Sequence, residues 1–179
     1  MMQEMKISGK RLGVLIGTGG LVKKELEKRT GIQIEIDSNE GLVHLEGEDP
    51  LPFLRAVEVV QAINRGFSPE KAFLLLDDED LLLDITDLSA FSDSPRQLDR
   101  IRGRIIGKDG RSREQIEHMT GTYISVLGKT VAVIGLPEQL KVTKSAIDML
   151  ISGMPHESVF SFLERKKREA KQDMIDYYY

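Results

Sequence analysis

Apolar and polar residues alternate with two different periods along the first half of the chain. Ile32, Ile34 and Ile36 alternate with polar residues, which is typical of a half-buried strand. After a turn, residues 42–45 give a second strand, and apolar residues at 53–63 then recur at helical spacing. This segment therefore predicts two strands followed by a helix.

Two short helices are predicted ahead of these strands. Residues 11–16 form the first helix, and residues 22–30 form the second, which Gly31 ends as a C-cap glycine. A strand at 5–8 precedes both helices. The predicted order of elements is β-α-α-β-β-α.

The chain contains an internal repeat of this unit. Residues 16–37 align without a gap with residues 106–127, at an offset of 90 residues. The identical positions include Ile16, Gly17, Gly20, Glu27, Thr30 and Gly31 in the first copy, and Ile106, Gly107, Gly110, Glu117, Thr120 and Gly121 in the second. In the second copy we predict a strand at 81–88 and a first helix at 97–106. Such a long period indicates a duplicated domain rather than a solenoid.

A glycine turn separates the two short helices in both copies. The turns have the pattern G-x-x-G and consist of Gly17, Thr18, Gly19 and Gly20, and of Gly107, Lys108, Asp109 and Gly110. Glycine adopts positive φ and has no Cβ to block a ligand. The second helix begins at the turn, so its free N–H groups and positive dipole end face whatever the turn contacts. This arrangement suits a phosphodiester backbone.

The sequences Ile-Gly-Thr-Gly-Gly and Ile-Gly-Lys-Asp-Gly-Arg, each within a β-α-α-β-β-α unit, resemble type I KH domains. More narrowly, residues 64–80, 103–121 and 153–169 resemble the archaeal two-KH-domain ribosome-biogenesis protein, which is related to the eukaryotic partner of Nob-one. The resemblance implies binding of single-stranded RNA near the 3′ end of small-subunit ribosomal RNA. It also implies two protein partners, a PIN-domain endonuclease that trims this RNA and the alpha subunit of translation initiation factor two.

We therefore expect an α+β fold of two tandem type I KH domains, each with a three-stranded antiparallel sheet packed with helices. The expected domains are residues 1–76 and 77–154, followed by a C-terminal helical extension at 155–179. Residues 159–163 are expected to dock the extension on the second domain, and the basic run at 164–171 is either a solvated face or a further contact.

Candidate RNA-binding residues cluster around the two turns. In the second copy they are Gly107, Lys108, Asp109, Gly110, Arg111, Arg113 and Arg104. Ile105, Ile106, Ile124 and Val126 are candidates for an apolar floor, and some of them must instead belong to the core. In the first copy they are Gly17, Thr18, Gly19, Gly20 and Lys23. Because the second turn has more cations, which pair with phosphates, we expect the second domain to bind RNA more strongly. Glu35 and Asp37 either line the first groove and repel RNA, or lie on the solvated face of their strand.

The overall charge changes this picture less than its distribution does. The net charge is −4, whereas a nonspecific polyanion binder is usually basic. Residues 77–93 are mainly acidic and residues 96–113 mainly basic, so a positive face is compatible with an acidic protein. The chain has no cysteine and no apolar run near the ~20 residues that cross a bilayer, and residues 1–13 lack the apolar stretch expected of a secretory signal. We expect a cytoplasmic protein.

No catalytic or metal-binding pattern stands out. The acidic run beginning at Asp77 has Leu82 and Leu88 where a calcium loop needs glycine and glutamate. The three histidines lack metal-ligand spacing, and the phosphate-loop pattern is absent. We expect no enzyme activity, no metal and no cofactor. A protein-interaction scaffold whose KH folds bind RNA weakly or not at all remains the alternative to an RNA-binding protein, and a nuclease is a second rival.

Overall fold

The alternating segments of both repeats form strands in a computed structural model that describes residues 1–179. The first sheet consists of β1 (Met2–Lys6), β2 (Gln33–Asp37) and β3 (Leu42–Glu46). The second sheet consists of β4 (Leu82–Asp87), β5 (Tyr123–Leu127) and β6 (Thr130–Gly135). Both sheets are antiparallel, with orders β1-β3-β2 and β4-β6-β5. In each copy the last strand is therefore central, and the strand after the second helix lies at an edge.

Helices follow the predicted order in both copies. The first copy contains α1 (Gly9–Ile16), α2 (Leu21–Thr30), α3 (Pro50–Asn64) and α4 (Pro69–Asp77). The second copy contains α5 (Pro95–Ile106), α6 (Arg111–Thr120), α7 (Pro137–Ile151) and α8 (His156–Tyr178). The glycine turns form single 3-10 turns at Thr18–Gly20 and Lys108–Gly110. The predicted α+β fold with two β-α-α-β-β-α units is confirmed.

The chain divides into two compact units, Met1–Glu79 and Asp80–Tyr179, each with its own core. In the second unit, the strand residues that face the helices, such as Ile124 and Val133, pack with Ile105 and Ile116 in one buried cluster. Successive strand side chains point to opposite faces, so only every second residue of β2 and β5 reaches the core.

Two elements of the first unit differ from the sequence prediction. The first strand is Met2–Lys6 rather than 5–8, because its pairing with β3 begins at Met2. No helix is predicted from the sequence between the helix at 53–63 and the domain boundary at 76–77, yet α4 lies there. The Ser68 side chain caps this helix by accepting a hydrogen bond from the N–H of Lys71, and Ala72 and Leu75 are buried.

The long helix α8 docks only by its first half. Val159 and Leu163 are buried in the core of the second unit, and Phe160 and Phe162 are half-buried. Residues 167–179 are all exposed. None of the helices combines the length and apolar character needed to span a membrane.

Candidate nucleic-acid interface

The two glycine turns have nearly the same backbone. Gly17 and Gly107 have φ of 75° and 74°, and Gly20 and Gly110 have φ of 75° and 76°. In both turns, the N–H of the first glycine donates to the carbonyl one helical turn earlier, and the N–H of the last glycine donates to the carbonyl of the first. The turn therefore links two helices with a fixed change of direction, and α2 and α6 each begin directly after it.

The first glycine of each turn is required by space as well as by conformation. A Cβ on Gly107 would lie 2.5 Å from Cβ of Ser112 and 2.8 Å from its backbone nitrogen. A Cβ on Gly17 would overlap Val22 in the same way. The absence of a side chain thus lets the start of the second helix pack against the turn.

The third position of the turn differs between the copies. Gly19 has φ of 63°, whereas the second copy places Asp109 there with φ of 55°. A positive φ is uncommon for residues other than glycine, but aspartate is among those that tolerate it. Lys108 and Arg111 flank Asp109, and both are exposed and have no ion-pair partner within the chain. They are therefore free to meet a phosphate.

Arg113 and Lys23 occupy equivalent positions, and both are ion-paired. Arg113 Nη1 lies 2.5 Å from Oε1 of Glu117, whereas Lys23 Nζ lies 3.4 Å from Oε1 of Glu27. The other oxygen of Glu117 accepts a hydrogen bond of 2.9 Å from the N–H of Ile124. These two candidate cations are therefore partly compensated by carboxylates.

The two glutamates are functional positions that the sequence analysis missed, although it noted their identity. Glu27 accepts a hydrogen bond of 2.9 Å from the N–H of Ile34, as Glu117 does from Ile124. Each therefore ties the helix that follows the glycine turn to the edge strand of its sheet. Their repetition seven residues before a strand amide in both copies was the available signal.

The guanidinium of Arg104 makes hydrogen bonds within the chain. Its Nε donates to the carbonyl of Leu150 at 3.0 Å, and its Nη2 donates to the carbonyl of Met154. Its own carbonyl accepts a hydrogen bond of 2.8 Å from Nε2 of His156. The guanidinium thereby holds the end of α7 and the start of α8 to α5.

In the first unit, Arg11 makes hydrogen bonds of the same kind as Arg104. Arg11 lies about one helical turn before the position equivalent to Arg104. It donates to the carbonyls of Ile63 and Phe67 at 2.7 and 2.6 Å. Burial of this guanidinium lowers the pKa of Arg11 from its ordinary value.

The four predicted floor residues differ in burial, and Ile105 is fully buried in the core. Ile106 is half-buried, as is its counterpart Ile16. Ile124 is only 3% exposed and belongs to the hydrophobic core, so its side chain is not part of the surface. The next residue of β5 on the same face, Val126, is half-buried and packs against that core.

Glu35 and Asp37 point away from the helices. They lie on the exposed positions of β2, which alternate with Ile34 and Ile36. Glu35 is directly opposite His44, and the Asp37 carboxylate accepts hydrogen bonds from the N–H groups of the following turn at 3.0 and 3.1 Å. Both side chains therefore lie on the solvated face of the strand, as the second alternative predicts.

Two carboxylates of the acidic stretch at 77–93 have partners within the chain. Asp77 pairs with Arg29 at 2.5 Å, and Asp87 accepts a hydrogen bond from the N–H of Ser89. No group of three or more histidine, aspartate or glutamate side chains is arranged to hold a metal ion.

Family models match most of the chain. The KH domain model matches residues 2–62, and the model of the eukaryotic type KH-domain (KH-domain type I) matches residues 82–168. The chain is 42% identical over 172 residues to the KH domain-containing protein MJ0443 of Methanocaldococcus jannaschii, covering 94% of this chain and 75% of that protein.

The chain is also similar to a relative named as an RNA-binding protein and to a chain in a crystal structure of a complex with rRNA. The RNA-binding protein pno-1 of Caenorhabditis briggsae is 30% identical over 76% of this chain, which spans only 51% of that relative. A chain in the crystal structure of the a/eIF2alpha-aDim2p-rRNA complex from Pyrococcus horikoshii OT3 superposes with a TM-score of 0.87 at 47% identity. That match covers 94% of this chain and 95% of the other.

Proposed function

This chain belongs to the family of KH-domain proteins that includes the archaeal two-KH-domain proteins, and from that membership we propose that it binds single-stranded RNA. KH domains clamp about four nucleotides against a GxxG loop. The proposed domains are residues 1–76 and 77–154, with residues 155–179 as an extension.

The observation that carries the proposal is the Gly107–Gly110 turn with two unpaired cations beside it. Glycines at both ends keep the backbone accessible, and the N–H groups at the start of α6 point toward the turn. Lys108 and Arg111 add charge-assisted contacts to phosphate oxygens. Bases then lie along the half-buried apolar surface that includes Ile106 and Val126.

The target we propose is the 3′ region of small-subunit ribosomal RNA during ribosome assembly or processing. The similarity to a chain of the P. horikoshii complex, which contains ribosomal RNA and a/eIF2alpha, supports this target. It also supports the alpha subunit of translation initiation factor two as a partner. A PIN-domain endonuclease is proposed as a second partner only because of the family resemblance. In this proposal the chain acts in the cytoplasm, and it binds RNA without acting as an enzyme.

The test is fluorescence anisotropy with a labelled single strand from the 3′ end of small-subunit ribosomal RNA. We expect Lys108→Asp to weaken binding by about tenfold or more, because it replaces an attraction by a repulsion at one phosphate. Thr18→Asp combined with Gly19→Asp should weaken binding less. Aspartate at position 19 is a mild change for the fold, since Asp109 already occupies the equivalent conformation.

Lys141→Asp is the charge-matched control, because Lys141 is exposed on α7 of the same unit. It should leave affinity almost unchanged. An equal or greater loss from the first-turn variant would overturn the stronger role of the second domain. Undiminished binding in both turn variants would put the RNA elsewhere, and no binding by the wild type would favour the protein scaffold. Cleavage of the RNA in Mg²⁺ or Mn²⁺ that a turn variant abolishes would revive the nuclease.

A further inference from the structure

The second unit has an open cleft whose lining does not include the glycine turn. Its volume is about 800 Å³, and it lies between the end of β4, the exposed side of α5 and the C-terminal end of α7. The lining residues that matter for its chemistry are Phe91, Arg100, Arg104, Lys144 and Asp148. Arg104 is three residues before Gly107 in the chain, so the cleft reaches close to the turn.

The charge of the cleft favours an anionic ligand. Arg100 and Lys144 are exposed, and neither has an ion-pair or hydrogen-bond partner within the chain. Arg104 donates to backbone carbonyls, and no carboxylate pairs with it. Two carboxylates also line the cleft, those of Asp87, which accepts a hydrogen bond from the N–H of Ser89 at 2.9 Å, and Asp148. Three cations thus face two carboxylates, one of which is already engaged.

The exposed face of α5 connects this cleft to the glycine turn. Arg96, Arg100 and Gly103 are all exposed and recur at helical spacing, and the same stripe leads to Gly107. With a rise of 1.5 Å per residue, Arg100 lies about 10 Å along the helix from the turn. A Cβ at Gly103 would have no atom within 4 Å, so the surface of α5 is open at this position between them.

An aromatic ring stands beside the cations. Phe91 is 50% exposed and lies in a segment between β4 and α5 that has no counterpart between β1 and α1. Exposed aromatic rings provide stacking surfaces for unpaired bases. Proteins that bind single-stranded nucleic acids combine aromatic rings with cations in this way. The second unit has this combination at the cleft.

We infer that single-stranded RNA held at the Gly107–Gly110 turn continues along α5 into this cleft. Arg100 and Lys144 contact phosphates, and the Phe91 ring stacks on a base. The inference rests on the proposed RNA-binding function and extends it, because the second unit then reads a longer strand than the four nucleotides of a single KH groove. Charge complementarity and continuity with the turn favour RNA over a protein segment as the occupant.

The experiment compares two RNA lengths. One strand has about five nucleotides, just over the length that one KH groove clamps, and the other has about twelve and contains the first. Anisotropy competition measures both on the wild type and on Arg100→Ala combined with Lys144→Ala. We expect the variant to bind the long strand about five- to tenfold more weakly and the short strand as the wild type does. The slope of log K against log salt for the long strand should become less steep by about 1.4, the effect of two lost phosphate contacts.

Lys141→Ala combined with Lys167→Ala removes the same charge from exposed positions of this unit outside the cleft, and it should not change the slope. Phe91→Ala should weaken only the long strand. If the double variant binds the long strand as tightly as the wild type, the inference is wrong and the cleft is left for a protein partner. An equal loss on both strands would also overturn it, since the cations would then act only through the general field. If the wild type binds neither strand, the proposed function itself fails.

Discussion

The two glycine turns share a backbone and differ in chemistry. Their first and last glycines have φ values that agree within 1° between the copies. Between them, the first copy has Thr18 and Gly19, whereas the second has Lys108 and Asp109. The conformation is set by the glycines and by the residue that packs under the first of them, and the charge is set by the two middle residues. One turn geometry can therefore carry different affinities for RNA.

The central strands of the two sheets differ even more. On the face away from the helices, β3 exposes His44 and Glu46, while β6 has Ala132 and Ile134, which are fully buried. The first copy accordingly alternates apolar and polar residues in this strand, and the second has a continuous apolar run from Val131 to Ile134. Duplication has kept the helix-facing half of each sheet and changed the other half.

The largest expected effect breaks the shared geometry itself. Gly107→Ala should destabilise the second unit by about 3 kcal/mol or more, because backbone strain at positive φ adds to the overlap with Ser112. Urea unfolding monitored by circular dichroism measures the loss. Gly17→Ala should have a similar effect on the first unit, since Val22 occupies the corresponding space.

Gly103→Ala is the matched control for this prediction. Gly103 is exposed inside α5, and its Cβ would meet no atom within 4 Å. Alanine should therefore stabilise the helix by up to about 1 kcal/mol. Equal stability changes for Gly103→Ala and Gly107→Ala would show that the turn tolerates a side chain, contrary to the geometry described above.

The next effect concerns the glutamates that tie helix to strand. Glu117→Ala should lower the free energy of unfolding of the second unit by about 2 kcal/mol, and Glu27→Ala that of the first unit by about 1 kcal/mol. Each substitution removes the acceptor for a strand amide. The loss should be larger in the second unit, where the ion pair is 2.5 Å rather than 3.4 Å and the Glu117 side chain is 14% exposed rather than 29%. Amide hydrogen exchange at Ile124 and Ile34 reports each site locally. Faster exchange at Ile34 in Glu27→Ala than at Ile124 in Glu117→Ala would contradict this ranking.

Local patterns in the sequence predicted the order of elements because strand alternation, helical spacing and glycine turns are set by neighbouring residues. They also predicted the positions of both glycine turns and the equivalence of the two copies. No helix is predicted at α4 from the sequence, although Ser68, Pro69 and Glu70 form a typical helix start. The end of α4 coincides with the predicted domain boundary at residues 76 and 77.

The partners of charged side chains could not be predicted from local patterns. Arg104 and Lys108 look equally suitable for phosphate in the sequence, yet Arg104 bonds to carbonyls 46 and 50 residues away. Contacts between distant segments depend on the packing of α5 against α7, which no local period encodes. The same applies to Glu35 and Asp37, whose direction depends on which face of the strand the helices cover.

An exchange of turns sharpens the comparison of RNA affinity. Thr18→Lys combined with Gly19→Asp gives the first turn the sequence of the second, and Lys108→Thr combined with Asp109→Gly does the reverse. The second exchange should lower RNA affinity by about fivefold and make the salt slope less steep by about 0.7, because one phosphate contact is lost. The first exchange should raise affinity by a smaller factor, since Lys23 nearby remains paired with Glu27. Anisotropy titrations at several salt concentrations measure both changes, and a higher affinity after the second exchange would contradict the role of Lys108.

The smallest expected effect lies beneath the turn, where the copies differ by one hydroxyl. The side-chain oxygen of Ser112 is buried without a hydrogen-bond partner, and the first copy has Val22 at the equivalent position. Ser112→Val should stabilise the second unit by about 1 kcal/mol, because it removes an unsatisfied polar atom and adds apolar contact. The volume is acceptable, since Val22 already packs against Gly17 in a turn of the same geometry. The reverse change, Val22→Ser, should destabilise the first unit by a similar amount in urea unfolding. If both changes destabilise their units, the packing beneath the second turn is specific for serine. The two copies would then share a backbone conformation without having interchangeable packing.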